Sequence, residues 1–208
     1  MVSPISILPV RWPLATTMLA LLILVACHPD VAEGVETNRR TPAETRRPSA
    51  AANGRIRKKR TESMVFYMHD IPGATAAVVA QQKGNQSSTL GLTFVFDDKL
   101  TEGPHPDSTE IGRGQGMYTV ASLGNGLPAL FLTFTAVMHR PSLYDGSTIC
   151  LQGSDRTFLK EREIAIVGGT GRFRLARGYA ILSTITFKAS TGAAIIKFNL
   201  TMTLPPHP

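Results

Sequence analysis

A chain of 208 residues with a formal charge of +7 has room for one domain of ordinary size plus additional sequence, and its charge first suggests a nucleic-acid or membrane partner. The charge is unevenly placed: residues 28–60 hold nine Lys/Arg against four Asp/Glu, whereas residues 61–208 hold twelve against eleven. The bulk of the protein is near neutral, so nucleic-acid binding, which needs clustered Lys/Arg to neutralise phosphates, is not expected of it.

At the N-terminus, Arg11 precedes an apolar run over 14–27, and polar residues follow at once. The run is short for a membrane span and suits the apolar core of a signal peptide, expected over 1–27 with cleavage near Ala26-Cys27. A retained signal anchor and a lipid-attachment box are the competing readings. Removal of Cys27 would leave Cys150 alone, so the mature domain has no intramolecular disulfide to rely on. Cys150 sits in an alternating apolar pattern and is expected to be a small core residue. Residues 28–63 are rich in Glu, Arg, Pro, Ala and Gly and nearly devoid of large apolar side chains, and they read as a disordered basic linker. The cationic run Arg55-Ile56-Arg57-Lys58-Lys59-Arg60 is a solvated linker, a processing site, or an attachment point for acidic wall polysaccharide.

From residue 64 to 204 the character changes to short apolar runs broken by Gly, Pro, Asp and Asn. Strands are expected over 64–68, 74–81, 92–96, 114–122, 129–138, 147–152, 163–167, 177–187 and 193–203, with turns at Lys83-Gly84-Asn85, Glu102-Gly103-Pro104, Gly124-Asn125-Gly126, Tyr144-Asp145-Gly146 and Ser190-Thr191-Gly192. The last run separates Ile196, Phe198, Leu200 and Met202 from Lys197, Asn199, Thr201 and Thr203, which is the period of a half-buried strand. Sustained helical periodicity is missing. Consecutive strands with short connections predict an all-β antiparallel meander closed into an eight-stranded barrel, one of the nine runs being wrong or extra, with room for one small ligand.

Val167-Gly168-Gly169-Thr170-Gly171 superficially suggests a phosphate loop, but it lacks the spacing and the Lys-Ser/Thr pair, and reads as a tight glycine turn between strands. The histidines at 69, 105, 139 and 207 are isolated, so neither a metal nor a cofactor is expected. Asn85-Gln86-Ser87 and Asn199-Leu200-Thr201 are glycosylation sequons, with Asn85 in an expected loop and Asn199 on the polar face of a strand.

Five strings together resemble a known family. Phe66-Tyr67-Met68-His69-Asp70-Ile71 resembles the opening strand of plant dirigent proteins. Phe94-Val95-Phe96-Asp97-Asp98-Lys99-Leu100-Thr101-Glu102-Gly103-Pro104 and Ile111-Gly112-Arg113-Gly114-Gln115-Gly116-Met117-Tyr118 are similar to their next two signatures. Tyr144-Asp145-Gly146-Ser147-Thr148 is similar to their later hairpin, and the run from Glu163 through Gly168-Gly169-Thr170-Gly171-Arg172-Phe173 to Ala180 resembles their longest motif. The resemblance implies a calycin-like barrel, a homo-oligomer (trimer or dimer) and secretion to the apoplast. It also implies a role in lignan and phenylpropanoid biosynthesis: a separate laccase or peroxidase makes phenoxy radicals of coniferyl alcohol type, and the barrel steers their coupling, or the resulting quinone methide, toward one stereoisomer. Some relatives cyclise quinone methides, as in pterocarpan formation, and a wall structural or defence role is a third reading.

Closing a quinone methide requires a proton at its carbonyl oxygen, a task suited to a carboxylic acid kept neutral by an apolar cup. On the family pattern Asp70 and Asp155 are candidates for that acid. Arg162 matches a family arginine that pairs with a substrate phenolate or holds Asp155, and Tyr118 matches a pocket tyrosine that binds substrate. From the residues alone, the two aspartates are equally turn-capping carboxylates, Arg162 a surface ion pair and Tyr118 a core aromatic.

Overall fold

The computed structural model describes residues 59–81, 89–123 and 129–205. Nine strands follow in order: β1 (Arg60–Asp70), β2 (Ala76–Ala80), β3 (Thr93–Thr101), β4 (Glu110–Val120), β5 (Ala129–Met138), β6 (Thr148–Arg156), β7 (Arg162–Thr170), β8 (Arg177–Lys188) and β9 (Ala193–Leu204). The expected signal peptide, residues 28–58 of the linker, Asn85 and the turn at 124–126 lie outside the described residues. The expected linker boundary at residue 63 is corrected. Arg60 through Ser63 already belong to β1 and pair with Leu204 through Thr201 of β9, because alternation and backbone pairing extend the strand past the point where apolar residues begin.

All pairings are antiparallel, in the order β1-β9-β8-β7-β6-β5-β4-β3, and a further β1–β3 pairing closes the ring. Eight strands thus form the barrel. The ninth run, β2, is the continuation of β1 along the same β3 edge. Tyr67, Met68 and His69 face Thr101, Leu100 and Lys99. Continued in that register, Pro72 would face Phe96; Ala76 does so instead, four residues on. The intervening turn closes with the Ala74 and Thr75 amides donating to the Ile71 carbonyl, and Gly73 takes φ +84.

Even-numbered residues of β1, β3, β4, β5, β7, β8 and β9, and odd-numbered residues of β6, face inward, as the alternating burial shows. Their apolar members fill the interior: Phe66 stacks on Phe198 with centroids 5.1 Å apart, and Phe134 meets Phe198 edge-on at 5.4 Å. The lumen at this level is packed rather than open. Cys150 departs from expectation: it lies on the outward face between inward Ile149 and Leu151, half-buried beside Thr135. Gly168 and Gly169 lie within β7, and the tight turn comes after them, where Gly171 takes φ +57 in a short 3-10 turn (Gly171–Phe173).

β4 presents three inward glycines in succession, at 112, 114 and 116. A Cβ at Gly116 would overlap the Thr133 carbonyl oxygen and Phe134 of the neighbouring strand, neither of which can swing aside. Gly116→Ala is therefore expected to lower stability by roughly 2–4 kcal/mol, measurable as an earlier denaturant midpoint with unchanged slope.

Candidate functional site

Because the barrel is antiparallel, β1, β4, β6 and β8 all finish at one end, where β3, β5, β7 and β9 begin. Asp70, Tyr118 and Asp155 lie near the ends of β1, β4 and β6, and Arg162 opens β7. All four face inward at this end. In the ring of eight, β3, β1 and β4 stand opposite β6, β7 and β8, separated by β5 and β9. The polar side chains fall into two clusters on opposed walls, with Leu130 and Ile196 on the strands between them.

The first wall carries Asp70 and Tyr118. Asp70 is 9% exposed, and the Tyr118 hydroxyl donates to its Oδ2 over a long 3.5 Å, while Oδ1 is buried without a partner. Desolvation raises the Asp70 carboxyl to about 6, against the smaller opposing effect of the Tyr118 hydrogen bond. Tyr118 stacks on Phe94 at 4.9 Å and tilts against Phe96 at 5.8 Å, which fixes its ring. Burial, then the nearby aspartates, push its phenol well above the usual range, so it stays a hydrogen-bond donor.

This wall also contains Asp98, which sequence reasoning passed over. The expected strand stopped at residue 96, where the apolar alternation gives way to Asp97-Asp98-Lys99. In fact β3 continues to Thr101, and alternation turns Asp97 outward and Asp98 inward, where it is fully buried. Desolvation first, then repulsion from Asp70, raises the Asp98 carboxyl to about 8. The available signal was the period: Phe94, Phe96 and Leu100 share its parity.

The second wall is ionic. Asp155 and Arg162 are each 4% exposed, and Arg162 Nε donates to Asp155 Oδ1 at 2.8 Å while Nη1 donates to Thr184 Oγ1 at 3.1 Å. The pair sits on one hairpin, just beyond the ladder position Gln152↔Ala165. The expected strand over 147–152 ended too early; Gly153 through Arg156 continue it, so Asp155 is a strand residue rather than a turn cap. Gly153 permits this approach, since a Cβ there would press on Ile164 of β7. Asn199 lies exposed on the outer face, between Val65 and Ile181 of the adjacent strands. Among the described residues, no three His, Cys, Asp or Glu side chains gather into a group able to hold a metal ion.

Comparison with known proteins follows the same boundaries. Residues 61–203 match the family model described as dirigent-like protein. Dirigent protein 21 of Arabidopsis thaliana is 40% identical over 140 residues, covering 65% of this chain and 72% of that protein. Pterocarpan synthase 1 of Glycyrrhiza echinata is 34% identical over 141 residues, covering 65% and 73%. The solved pterocarpan synthase dirigent protein GePTS1 superposes with a TM-score of 0.65 at 31% identity, over 71% of this chain and 92% of that one.

Two stability predictions follow from the charges. Arg162→Met strands the Asp155 carboxylate and is expected to destabilise the barrel by about 3–5 kcal/mol, read by chemical denaturation. Asp70 and Asp98 bind protons more tightly when folded than a solvated aspartate, whose carboxyl titrates near 3.8. Their contribution to stability is full below about pH 4 and is lost as pH rises through about 6 and 8. Asp98→Asn should therefore melt close to the wild type at pH 4.5 and increasingly above it as pH rises to 8.5, by calorimetry.

Proposed function

This chain belongs to the dirigent family, and we propose that its barrel binds monolignol phenoxy radicals of the coniferyl alcohol type, or the quinone methides formed by their coupling, and directs them to one stereoisomer. One observation carries this reading: two unlike polar clusters on opposed walls at one end of a closed, apolar barrel. A phenolic guest entering there meets the Tyr118 hydroxyl and the Asp70 carboxyl on one side and the fixed Asp155–Arg162–Thr184 array on the other. Each donor or acceptor is held by a strand, so the guest's two faces meet different groups at fixed positions. The packed aromatic floor of Phe66, Phe134 and Phe198 confines the guest to the upper end. A separate laccase or peroxidase supplies the one-electron oxidation.

In this reading the chain is a secreted glycoprotein of lignan or related phenylpropanoid biosynthesis. It is exported to the apoplast on the signal over 1–27, glycosylated at Asn85 and at exposed Asn199, and assembled as a homo-oligomer. The basic segment before β1 associates with acidic wall polysaccharide.

The protonated state of Asp70 up to about pH 6 favours a second reading, acid-assisted ring closure of a quinone methide. An internal hydroxyl forms a C–O bond to the methide carbon as the ring rearomatises. The carbonyl oxygen takes the Asp70 proton and becomes a phenol, and the attacking oxygen releases its proton, which restores the carboxyl.

With a one-electron oxidant and a panel of monolignols, chiral chromatography is expected to show an enantiomeric excess that requires the protein. Tyr118→Phe should reduce it and Asp70→Asn should abolish it. Racemic product throughout the panel would overturn the leading reading. Oxidant-free conversion of a preformed isoflavanol or quinone methide, slowed roughly 10²–10⁴-fold in Asp70→Asn, is the outcome the second reading requires.

A further inference from the structure

We propose that Asp98 is a positioning residue for this site: it shares a proton with Asp70 across the β1–β3 seam, and the turn between β1 and β2 serves to hold it. The inference rests on the reading of Asp70 as the acid that faces the guest.

The geometry leads there in three steps. The seam ladder runs Tyr67↔Thr101, Met68↔Leu100, His69↔Lys99, so the next position sets Asp70 opposite Asp98, and both have inward parity. Each carboxyl has one buried oxygen without a partner, Oδ1 of Asp70 and Oδ2 of Asp98. Two carboxylates side by side in an apolar interior would be two uncompensated charges, whereas one proton between them makes an O–H···O bond that satisfies both orphaned oxygens at once.

Thr75 then decides which oxygen carries the proton. The Ile71 amide donates to Thr75 Oγ1 at 3.0 Å, and the Thr75 hydroxyl donates in turn to Asp98 Oδ1 at 2.5 Å. The Asp97 amide donates to the Thr75 carbonyl at 2.9 Å, fixing the residue from its backbone. Since Oδ1 is already accepting from Thr75, the proton of a neutral Asp98 belongs on Oδ2. The other charged groups do not compete for it. Arg113 is engaged outside the barrel by Asp97 Oδ1 at 2.9 Å and reaches toward Glu110, while Lys99 turns outward and donates to the Pro106 carbonyl. Tyr118 occupies the other oxygen of Asp70. Burial displaces both carboxyls upward, and repulsion from Asp70 adds to the shift of Asp98, so the two groups act on one another. With both carboxyls protonated before reaction, Asp70 gives its own proton to the guest, the proton kept by Asp98 then bridges to the carboxylate left behind, and the proton released by the attacking oxygen restores the second one.

The test uses carbon-13 NMR of the aspartate carboxyls, followed against pH in the substrate-free protein with and without substitutions. In the wild type, both resonances are expected to respond to the same two steps, with Asp98 the last to ionise. Asp98→Asn retains a donor to Asp70 and should leave its first step in place as a single transition. Asp98→Leu should raise that step by roughly one pH unit and move the alkaline limb of product selectivity with it. Thr75→Val, which removes the donor to Oδ1, should push the Asp98 step upward and serves as the second variant if Asp98→Leu does not fold. An Asp98 resonance titrating alone near pH 4, or an Asp70 curve identical in the wild type and Asp98→Leu, would overturn the proposal. Because the titration needs no substrate, coupled curves in a protein that yields only racemic product sink the proposed function and leave the proton-sharing pair standing. Independent curves in a stereoselective protein do the reverse.

Discussion

The edge of β3 is occupied by two successive segments, and closure of the barrel depends on how they divide it. β1 takes the lower part in only three residue pairs, whereas its other edge pairs with β9 along its full length from Arg60 to Asp70. So short a seam needs support beyond its ladder. On its outer side, buried His69 bonds through Nε2 to Thr101 Oγ1 at 2.8 Å, and that hydroxyl also reaches the Gly103 carbonyl at 2.7 Å. Burial, then Lys99, holds the His69 imidazole below its ordinary value, so the ring stays neutral where a cation would be poorly solvated. β2 covers the upper part of the edge, leaving β3 with little exposed backbone from which to recruit another chain.

The two walls handle buried charge in different ways. On the β6–β7 hairpin, Asp155 and Arg162 neutralise one another and Thr184 accepts a further guanidinium hydrogen, which is how an ion pair survives in an apolar interior. At the Asp70 end of the β1–β3–β4 wall no cation among the described residues faces inward (Arg60 lies at the far end of β1, paired with Glu62), and protonation takes the place of pairing. Burial raises the carboxyls of this wall toward neutral pH, whereas the other wall holds its charges in a hydrogen-bonded pair. In the proposed reading, acid-base work belongs to the first wall and orientation to the second, a division set by where Arg162 enters the lumen.

Much of this was legible in the sequence, and the failures at strand boundaries share one cause. The barrel and the strand at 129–138 were readable because apolar alternation ran their full length. The ends of β3 and β6 were not: Asp97-Asp98-Lys99 and Gly153-Ser154-Asp155 use residues typical of turns, and backbone pairing carried both strands through them. Strands were ended short of inward polar groups at Asp70, Asp98, Asp155 and Arg162. Asp70, Tyr118, Asp155 and Arg162 came from likeness to the family, and no local pattern shows that four residues so distant in the chain face one lumen. Asp98 was within reach of period-two counting once the strand was extended. Residues 60–63 were lost to the linker because an edge strand near the barrel's lower rim carries polar side chains on both faces.

Stereochemical direction asks little of a site in energy and much in rigidity. A tenfold preference between two transition states corresponds to about 1.4 kcal/mol, less than one good buried hydrogen bond to a charged group. That difference survives only if the groups on the two walls hold their separation while the guest reacts. The fold meets this by placing them on strands whose lower halves are locked by packed aromatics, and by letting β4 approach its neighbours so closely at Gly116 that no side chain fits. Tyr118 lies on the same strand two residues further along, stacked between rings of β3 and unable to change rotamer without displacing Phe94 or Phe96. The glycines, the packed floor and the fixed tyrosine form one mechanical unit: inward bulk is removed from β4 so that the strand can press against its neighbours, and its one polar donor is held still above the place where they meet.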